Sequence, residues 1–181
     1  MYPFLRMGLE IRAAKRAAPL GTFDTHVSRL RCWPHDLDIF RELNNGRTLT
    51  LYDLGRVALF YRLGLVGKMR ERRWVGTVAG SSVRYRKRVR LWDEIEMRSR
   101  LVGWDARFFY LEQGMWVGGT CTSHGLFRNA LTDRNGLVPT ATATEILGGT
   151  ASPPLPGWIT AWGEAEGERP WPPMQDEDGP R

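Results

Sequence analysis

The sequence predicts an α+β fold in which an antiparallel β-sheet wraps one long central helix. A segment of alternating polar and apolar residues comes first, and a long helical segment that is apolar on nearly all sides follows it. Four or five further alternating segments come after the helix, separated by the short turns typical of antiparallel sheets. A helix that is apolar all round is a buried helix, so we expect the strands to surround it.

The first strand is predicted over residues 25–33. Pro34 ends it, because proline has no N–H group to donate to a β-ladder. The apolar positions of this strand are Val27, Leu30, Cys32 and Trp33.

The central helix is predicted to begin within a few residues of Asn44 and to end near Leu63. Asparagine is a preferred N-cap because its side-chain oxygen accepts a backbone N–H of the first turn. Gly64 and Gly67 mark the end of the helix. The apolar stripe consists of Leu51, Leu54, Ala58 and Tyr61, with Val57 and Leu65 beside it.

Beyond residue 74 the period of the sequence changes from helical to alternating. The predicted strands cover residues 74–91 as one long strand or two, then 94–103, 106–115 and 116–129.

Three regions are expected along the chain. Residues 1–24 form a basic lead segment, residues 25–130 the folded domain, and residues 131–181 an extension rich in proline, glycine and acidic side chains. Within the extension, Trp158 and Trp162 are four residues apart. This spacing predicts a short amphipathic helix that docks on the body or on a neighbouring subunit.

The formal net charge of +6 is unevenly distributed. Residues 140–181 contain two arginines and seven acidic residues, a net charge of −5, so the rest of the chain carries +11. A basic body suits a polyanionic partner such as the phosphates of coenzyme A, nucleic acid or a membrane surface. From about Gln175 onward there is too little apolar surface to offset the entropy of ordering, and we expect disorder there.

Several classes of protein are disfavoured by composition. No apolar run is long enough to span a membrane, and charges interrupt the N-terminal segment, unlike a secretory signal, so a cytoplasmic location is expected. Cys32 and Cys121 are expected to be buried free thiols. Two scattered cysteines and three scattered histidines are too few for a zinc site, and no Gly-x-Ser-x-Gly elbow is present.

The run DLDIFRELNNGRTLTLYDLGR, from Asp36 to Arg56, resembles the hotdog-fold thioesterases of the 4-hydroxybenzoyl-CoA thioesterase type. It is most similar to a bacterial branch with the pattern D-x-D-x-N-x-H-M-N-N-G-R-Y-L-T-L-M-D-L-G-R. The resemblance covers about residues 25–130 and implies a hotdog fold, hydrolysis of an acyl-CoA, and sites formed between subunits of a homodimer or homotetramer. The departures are Phe40, Glu42 and Thr48, where that branch tends to carry Asn, His and Tyr.

Thioester hydrolysis needs a carboxylate that attacks the carbonyl or activates a water, and donors that hold the oxyanion. Asp38 matches the catalytic loop aspartate of this type and is the favoured carboxylate. Asp53 lies near the position where another hotdog branch keeps its catalytic acid, although an ion pair with Arg56 is the alternative role. Asp36 is expected to be a supporting or turn residue.

The candidate oxyanion donors are Asn44, Asn45 and Gly46, whose backbone N–H groups lie at the start of the helix, where its dipole favours negative charge. Capping is their alternative role. Arg47 is expected to orient Asp38 or to reach across a dimer interface. The predicted substrate-binding residues are Gly46, Arg47, Thr48, Arg86 and Arg88.

The run VRYRKRVRL places Arg84, Arg86, Arg88 and Arg90 on one face if it is a strand. A solvated strand face is the favoured interpretation, and a basic strip near the nucleotide end of CoA is the functional one. Nucleic acid is disfavoured because aromatic residues are not interleaved on the basic face.

The sequence thus predicts a cytoplasmic acyl-CoA thioesterase, with CoA as part of the substrate and no other cofactor. Two alternatives stay open: a non-catalytic protein that binds acyl groups or acyl-CoA, and a basic scaffold without a small ligand.

Overall fold

The computed structural model describes residues 2–173, so the disorder expected from Gln175 onward lies outside the described residues. The chain forms five α-helices and six β-strands within this range. In chain order they are α1 (Phe4–Arg16), β1 (His26–Arg31), α2 (Asn45–Arg62), α3 (Leu65–Glu71), β2 (Val75–Tyr85), β3 (Glu94–Trp104), β4 (Phe109–Val117), β5 (Thr120–Asp133), β6 (Gly136–Val138), α4 (Thr140–Ala143) and α5 (Gly157–Glu168).

The strands form one antiparallel sheet in the order β1-β3-β4-β5-β2, with β6 paired to the end of β5. The sheet curls around α2, which confirms the predicted α+β arrangement and the hotdog fold. β5 runs to Asp133, past the domain boundary expected at residue 130.

α2 is the central helix, and its bounds agree with the prediction. It begins directly after Asn44 and ends at Arg62, and Leu51, Leu54 and Ala58 are completely buried. Gly64 follows with a φ of 67°, a left-handed conformation that glycine adopts at little cost. The apolar stripe therefore fixes the helix in the middle of the core.

β1 is shorter than predicted, and every second residue of it is buried. Its buried positions are His26, Ser28 and Leu30, whereas Val27 is 43% exposed. Val27 faces outward because successive strand residues point to opposite faces, and Leu30 takes the inner face. Trp33 is likewise exposed and packs edge-on against Trp92.

β2 is a single strand that ends at Tyr85, so the basic residues after it are not on a strand face. The N–H groups of Arg86 and Lys87 both donate to the carbonyl of Thr122, which ends the regular ladder. Residues 86–91 form a loop instead, and the predicted alternation of Arg86, Arg88 and Arg90 on one strand face was wrong.

The turn between β4 and β5 also lies later than predicted. Gly118 and Gly119, with φ angles of 53° and 78°, make this turn, whereas the sequence placed the boundary between Met115 and Trp116. Cys32 is buried as expected, but Cys121 lies just after this turn and is exposed.

α5 is the predicted amphipathic helix of the C-terminal region. Its Ile159 is buried and its Trp162 ring meets Tyr110 edge-on at 6.4 Å, on the sheet face opposite α2. None of the helices within residues 2–173 combines the length and hydropathy that crossing a membrane requires.

Adding a methyl group at Gly125 should destabilise the fold. A Cβ there would lie 2.8 Å from Cε2 of Phe127 and 3.3 Å from Cε2 of Tyr52, two buried rings packed edge to face. We expect Gly125→Ala to lower the free energy of unfolding by about 1–3 kcal/mol in urea denaturation. Gly67→Ala is the matched control, since nothing lies within 4 Å of its Cβ position in α3. An unchanged midpoint for Gly125→Ala would contradict the packing of β5 on α2.

Candidate active site

The start of α2 is capped by Asn44, and the cap uses two of the first helical N–H groups. The side-chain oxygen of Asn44 accepts from the N–H of Gly46 at 2.8 Å and from that of Arg47 at 3.3 Å. Thr48 begins the regular helical bonds by donating its N–H to the carbonyl of Asn44. Of the first three helical residues, Asn45 therefore keeps a backbone N–H outside the cap, at the positive end of the helix dipole.

Asp38 lies in a tight loop that its own side chain stabilises. Its Oδ1 accepts the N–H of Phe40 at 2.8 Å and that of Glu42 at 3.3 Å, and its backbone N–H donates to the carbonyl of Glu42. Arg41 completes the loop with a φ of 59°. One carboxylate oxygen thus fixes the loop, while Oδ2 accepts no hydrogen bond from residues 2–173.

Asp38 and Asn45 line the same cavity, which we call the Asp38 pocket. It has a volume of about 400 Å³ and lies between the start of α2, the Asp38 loop and the basic loop after β2. Its lining residues are Asp38, Phe40, Glu42, Leu43, Asn45, Thr48, Tyr85, Arg86, Lys87, Arg88, Val89, Thr122 and Ser123.

The basic loop forms one wall of the Asp38 pocket and is attached to the Asp38 loop. The N–H of Leu43 donates to the carbonyl of Val89 at 2.8 Å. Glu42 forms an ion pair with Arg88, with 3.2 Å between Oε2 and Nε. Glu42, at the position where the similar branch carries histidine, therefore offsets the charge of Arg88. Arg86 and Lys87 add positive charge to this wall.

Ser123 lines the pocket and is hydrogen-bonded to a buried tyrosine of α2. The hydroxyl groups of Tyr52 and Ser123 lie 2.8 Å apart and are buried. Burial raises the pKa of Tyr52 above its ordinary value, so this phenol stays protonated at neutral pH. Thr48 is also buried, and its Oγ1 donates to the carbonyl of Asn44 at 3.2 Å.

Asp36 is a supporting residue, as expected, and is completely buried behind the Asp38 loop. Its carboxylate binds Nη1 of Arg6 at 2.7 Å and Nε of Arg47 at 3.2 Å, and it accepts the N–H of Trp33. Arg47 therefore binds Asp36, whereas the sequence suggested that it orients Asp38 or reaches across a dimer interface.

Asp53 lies outside the Asp38 pocket and is held by partners on another side of α2. Its Oδ1 accepts from Nη2 of Arg56 at 2.8 Å, and its Oδ2 accepts from the hydroxyl of Tyr2 at 2.5 Å. Arg56 in turn donates to Oε1 of Gln113 inside the core. Burial lowers the pKa of Arg56, and the Asp53 carboxylate opposes that shift. The ion pair weighed from the sequence is thus present.

The structure brings some predicted site residues together and separates others. Asn44 and Gly46 form the cap, Arg47 binds Asp36, and Asp53 faces Tyr2. Sequence reasoning missed Lys87, Thr122 and Ser123. The packing of β5 on α2 places Ser123 beside Tyr52, 71 residues earlier in the chain, and no local pattern reports such a contact. The predicted residues that line the Asp38 pocket are Asp38, Asn45, Thr48, Arg86 and Arg88.

The histidines have structural partners away from the pocket. His26 is buried between Ser28 and Arg62, and burial followed by the Arg62 charge lowers its pKa to about 4. His124 bonds Glu112, which lowers the pKa of that carboxyl to about 2. Within residues 2–173, no group of three or more His, Cys, Asp or Glu side chains could hold a metal ion.

A smaller apolar cavity of about 40 Å³ lies beyond the opposite end of α2. Leu63, Met69, Leu101 and Ile146 are among its walls, and Asn129 is its polar lining residue. No carboxylate is among the described residues that line this cavity.

The sequence model of the thioesterase-like superfamily matches residues 32–163 of this chain. The chain is similar to Protein THEM6 of Xenopus laevis, with 44% identity over 80 residues, or 44% of this chain and 39% of the relative. It is also similar to Protein THEM6 of Drosophila melanogaster, with 36% identity over 83 residues, or 45% of this chain and 43% of the relative. The chain spans about two fifths of the length of these curated relatives.

Solved thioesterase structures share the fold. The DHNA-CoA thioesterase of Staphylococcus aureus matches with a TM-score of 0.61 and 10% identity, over 79% of this chain and 91% of that chain. YbaW of Escherichia coli, described as a probable thioesterase, matches with a TM-score of 0.63 and 17% identity, over 67% and 95%. At these identities the similarity shows the hotdog fold alone.

Removing the charge of Asp36 should loosen the support of the Asp38 loop. Asp36→Asn keeps the shape but leaves Arg6 and Arg47 beside a neutral amide, and we expect a loss of at least about 2 kcal/mol in the free energy of unfolding. Chemical denaturation measures it. Glu94→Gln is the control, since its pair with Arg31 is exposed and should contribute less than about 1 kcal/mol. Equal effects of the two substitutions would contradict the assigned role of Asp36.

Proposed function

Because the chain belongs to the thioesterase-like superfamily, we propose that it hydrolyses an acyl-CoA to the free acid and CoA, in the manner of the 4-hydroxybenzoyl-CoA thioesterase type. One observation carries the proposal: Asp38 and Asn45 line one pocket at the N-terminus of α2, and Arg86, Lys87 and Arg88 line the same pocket. A carboxylate, an oxyanion site and a cationic wall are the components that this reaction needs.

Asp38 supplies the carboxylate, by one of two routes. As a nucleophile, its oxygen bonds to the thioester carbon, CoA leaves as a thiolate that takes up a proton, and water then cleaves the acyl–Asp38 anhydride. As a general base, it accepts a proton from a water while the water oxygen bonds to that carbon, and the proton passes to the departing sulfur. Both routes use the oxygen that does not hold the loop, while Oδ1 keeps its bonds to Phe40 and Glu42.

Asn45 supplies the oxyanion donor in either route. Its backbone N–H lies outside the Asn44 cap and adjoins the pocket, at the end of α2 where the dipole stabilises negative charge. The hydroxyl group of Ser123, which is paired with that of Tyr52, also lines the pocket and adds a polar group there.

The cationic wall suits the phosphates of CoA. Arg86 and Lys87 are exposed, and their backbone N–H groups are fixed on Thr122, so their side chains extend from an ordered base. Arg88 shares its charge with Glu42 and is expected to contribute less. Phe40, Leu43 and Val89 provide apolar lining for the acyl group.

An oligomer belongs to the proposal as well. The resemblance places sites between subunits, and β2 is an eleven-residue edge strand with exposed Val75 and Val78, a surface suited to pairing with another chain. A cytoplasmic location and the lack of a further cofactor stay predictions from the sequence.

Neutralising Asp38 tests the mechanism. We expect Asp38→Asn to lower kcat for acyl-CoA hydrolysis by at least about 100-fold with a modest change in KM, because the variant keeps the shape and loses the charge. Asp53→Asn is the comparison: it should cost less in rate and more in stability, through the lost ion pair with Arg56. Steady-state hydrolysis and circular dichroism melts measure both. A folded Asp53→Asn protein without turnover, beside an active Asp38→Asn protein, would reverse the assignment.

A non-catalytic acyl-CoA-binding protein is the second candidate, and the Glu42–Arg88 pair favours it. Glu42 puts a second carboxylate in the pocket where the similar branch has a histidine. If the protein binds acyl-CoA in calorimetry and hydrolyses none of a panel of acyl-CoAs, this candidate holds. Glu42→His is then the first reversion to assay. Reverting Thr48 to tyrosine is the poorer first choice, because Thr48 is buried and the larger side chain would extend into the pocket.

A further inference from the structure

The lead helix α1 presents three large apolar side chains to solvent. Phe4, Leu5 and Leu9 are 74%, 79% and 59% exposed, although each is large and apolar. The residues turned toward the body include Arg6 and Glu10, two ionisable side chains. Met7 and Ala14 also pack inward, so Phe4, Leu5 and Leu9 form a second apolar stripe that the core does not cover, which is unusual for a surface helix.

Polar contacts fix this rotation of α1. Arg6 binds the buried carboxylate of Asp36 at 2.7 Å, and the hydroxyl of Ser28 donates to Oε2 of Glu10 at 2.7 Å. Turning the apolar stripe inward would break both contacts and leave Asp36 with less compensation for its burial. The stripe is therefore held outward by the folded body.

The exposed face of α1 carries only positive charge. Arg12 and Arg16 follow Leu9 by three and seven residues, so both share its side of the helix, and both are exposed. Glu10 is the single acidic residue of α1, and it is turned inward to Ser28. The apolar stripe is followed along the helix by two arginines, and no acidic residue lies between them. This pattern is complementary to a surface that has an apolar interior and anionic groups at its boundary with water.

We propose that α1 docks this protein on an anionic membrane surface, with Phe4, Leu5 and Leu9 inserted at the level of the acyl chains and Arg12 and Arg16 on the lipid phosphates. A second copy of the chain is a poorer occupant. A two-fold contact through the stripe would bury the two arginines against apolar residues or against each other, with no acid on that face to pair them.

A second exposed apolar pair lies at the end of the molecule where α1 begins. Ile39 and Phe40, in the Asp38 loop, are 89% and 74% exposed. Arg6, in the first turn of α1, binds Asp36 just before this loop, so the helix and the loop are tied together. Ile39 and Phe40 therefore add exposed apolar area to that of the α1 stripe, which a lipid surface would cover.

The test is binding of the full chain to vesicles, measured by flotation. One set contains phosphatidylcholine and phosphatidylglycerol in equal amounts, and the other phosphatidylcholine alone. The parent protein should bind the anionic vesicles at least about 10-fold more tightly, the scale expected for two arginines at a charged surface. Leu5→Glu combined with Leu9→Glu should weaken that binding at least about 30-fold, since two side chains leave the lipid.

Matched controls separate the stripe from general effects of charge. Leu137→Glu changes an exposed leucine in β6, and Arg134→Glu an exposed arginine in the turn before it. Both should leave vesicle binding within about 2-fold of the parent, whereas Arg12→Glu with Arg16→Glu should abolish the preference for anionic lipid. Circular dichroism melts verify folding, and the arginine pair keeps the test valid if the leucine pair impairs it.

Two results would overturn the proposal. One is a parent protein that binds neither vesicle, or that binds equally after the leucine substitutions. The other is an oligomer, seen by light scattering, that the leucine substitutions dissociate while vesicle binding stays unchanged. That outcome would assign the stripe to a second copy of the chain.

Discussion

The buried carboxylate of Asp36 is the interaction on which the surrounding structure depends. It joins α1 through Arg6, the start of α2 through Arg47, and the end of the first strand through the N–H of Trp33. Its own carbonyl accepts the N–H of Asn44, the N-cap of α2. A completely buried charge is costly unless its lone pairs are compensated, so these elements keep fixed positions relative to one another. The position of Asp38, two residues later, follows from that constraint.

Asp53 and the Asp38 pocket lie on different sides of the central helix α2. On one side Asp53, Arg56 and Gln113 continue an ion pair into the core, where Gln113 donates to the carbonyl of Tyr52 and to Ser99. On the other side Tyr52 meets Ser123 beside the Asp38 pocket. Asp53 is thereby committed to the buried charge of Arg56, whereas one oxygen of Asp38 holds its loop and the other accepts no hydrogen bond from residues 2–173.

The positively charged side chains of the protein are distributed over more than one surface. Arg86 and Lys87 add charge to the pocket, Arg56 is interior, and Arg12 and Arg16 extend along the exposed face of α1. The net charge suggested one polyanionic partner. The two proposals assign a different anion to each surface: the phosphates of CoA to the pocket and the phosphates of lipid to α1. Composition could not separate them, because it counts charges without regard to the surface that carries them.

The sequence by itself determined the parts of this protein that short-range physics controls. The Asn44 cap and the buried stripe of Leu51, Leu54 and Ala58 follow from residues a few positions apart, and so does the change from helical to alternating periodicity after α2. Tertiary structure alone decided the end of β2 at Tyr85, the partner of Arg47 and the rotation of α1. Each of these depends on a contact between distant residues, such as Arg6 with Asp36 or Lys87 with Thr122, and a local pattern contains no information about such contacts.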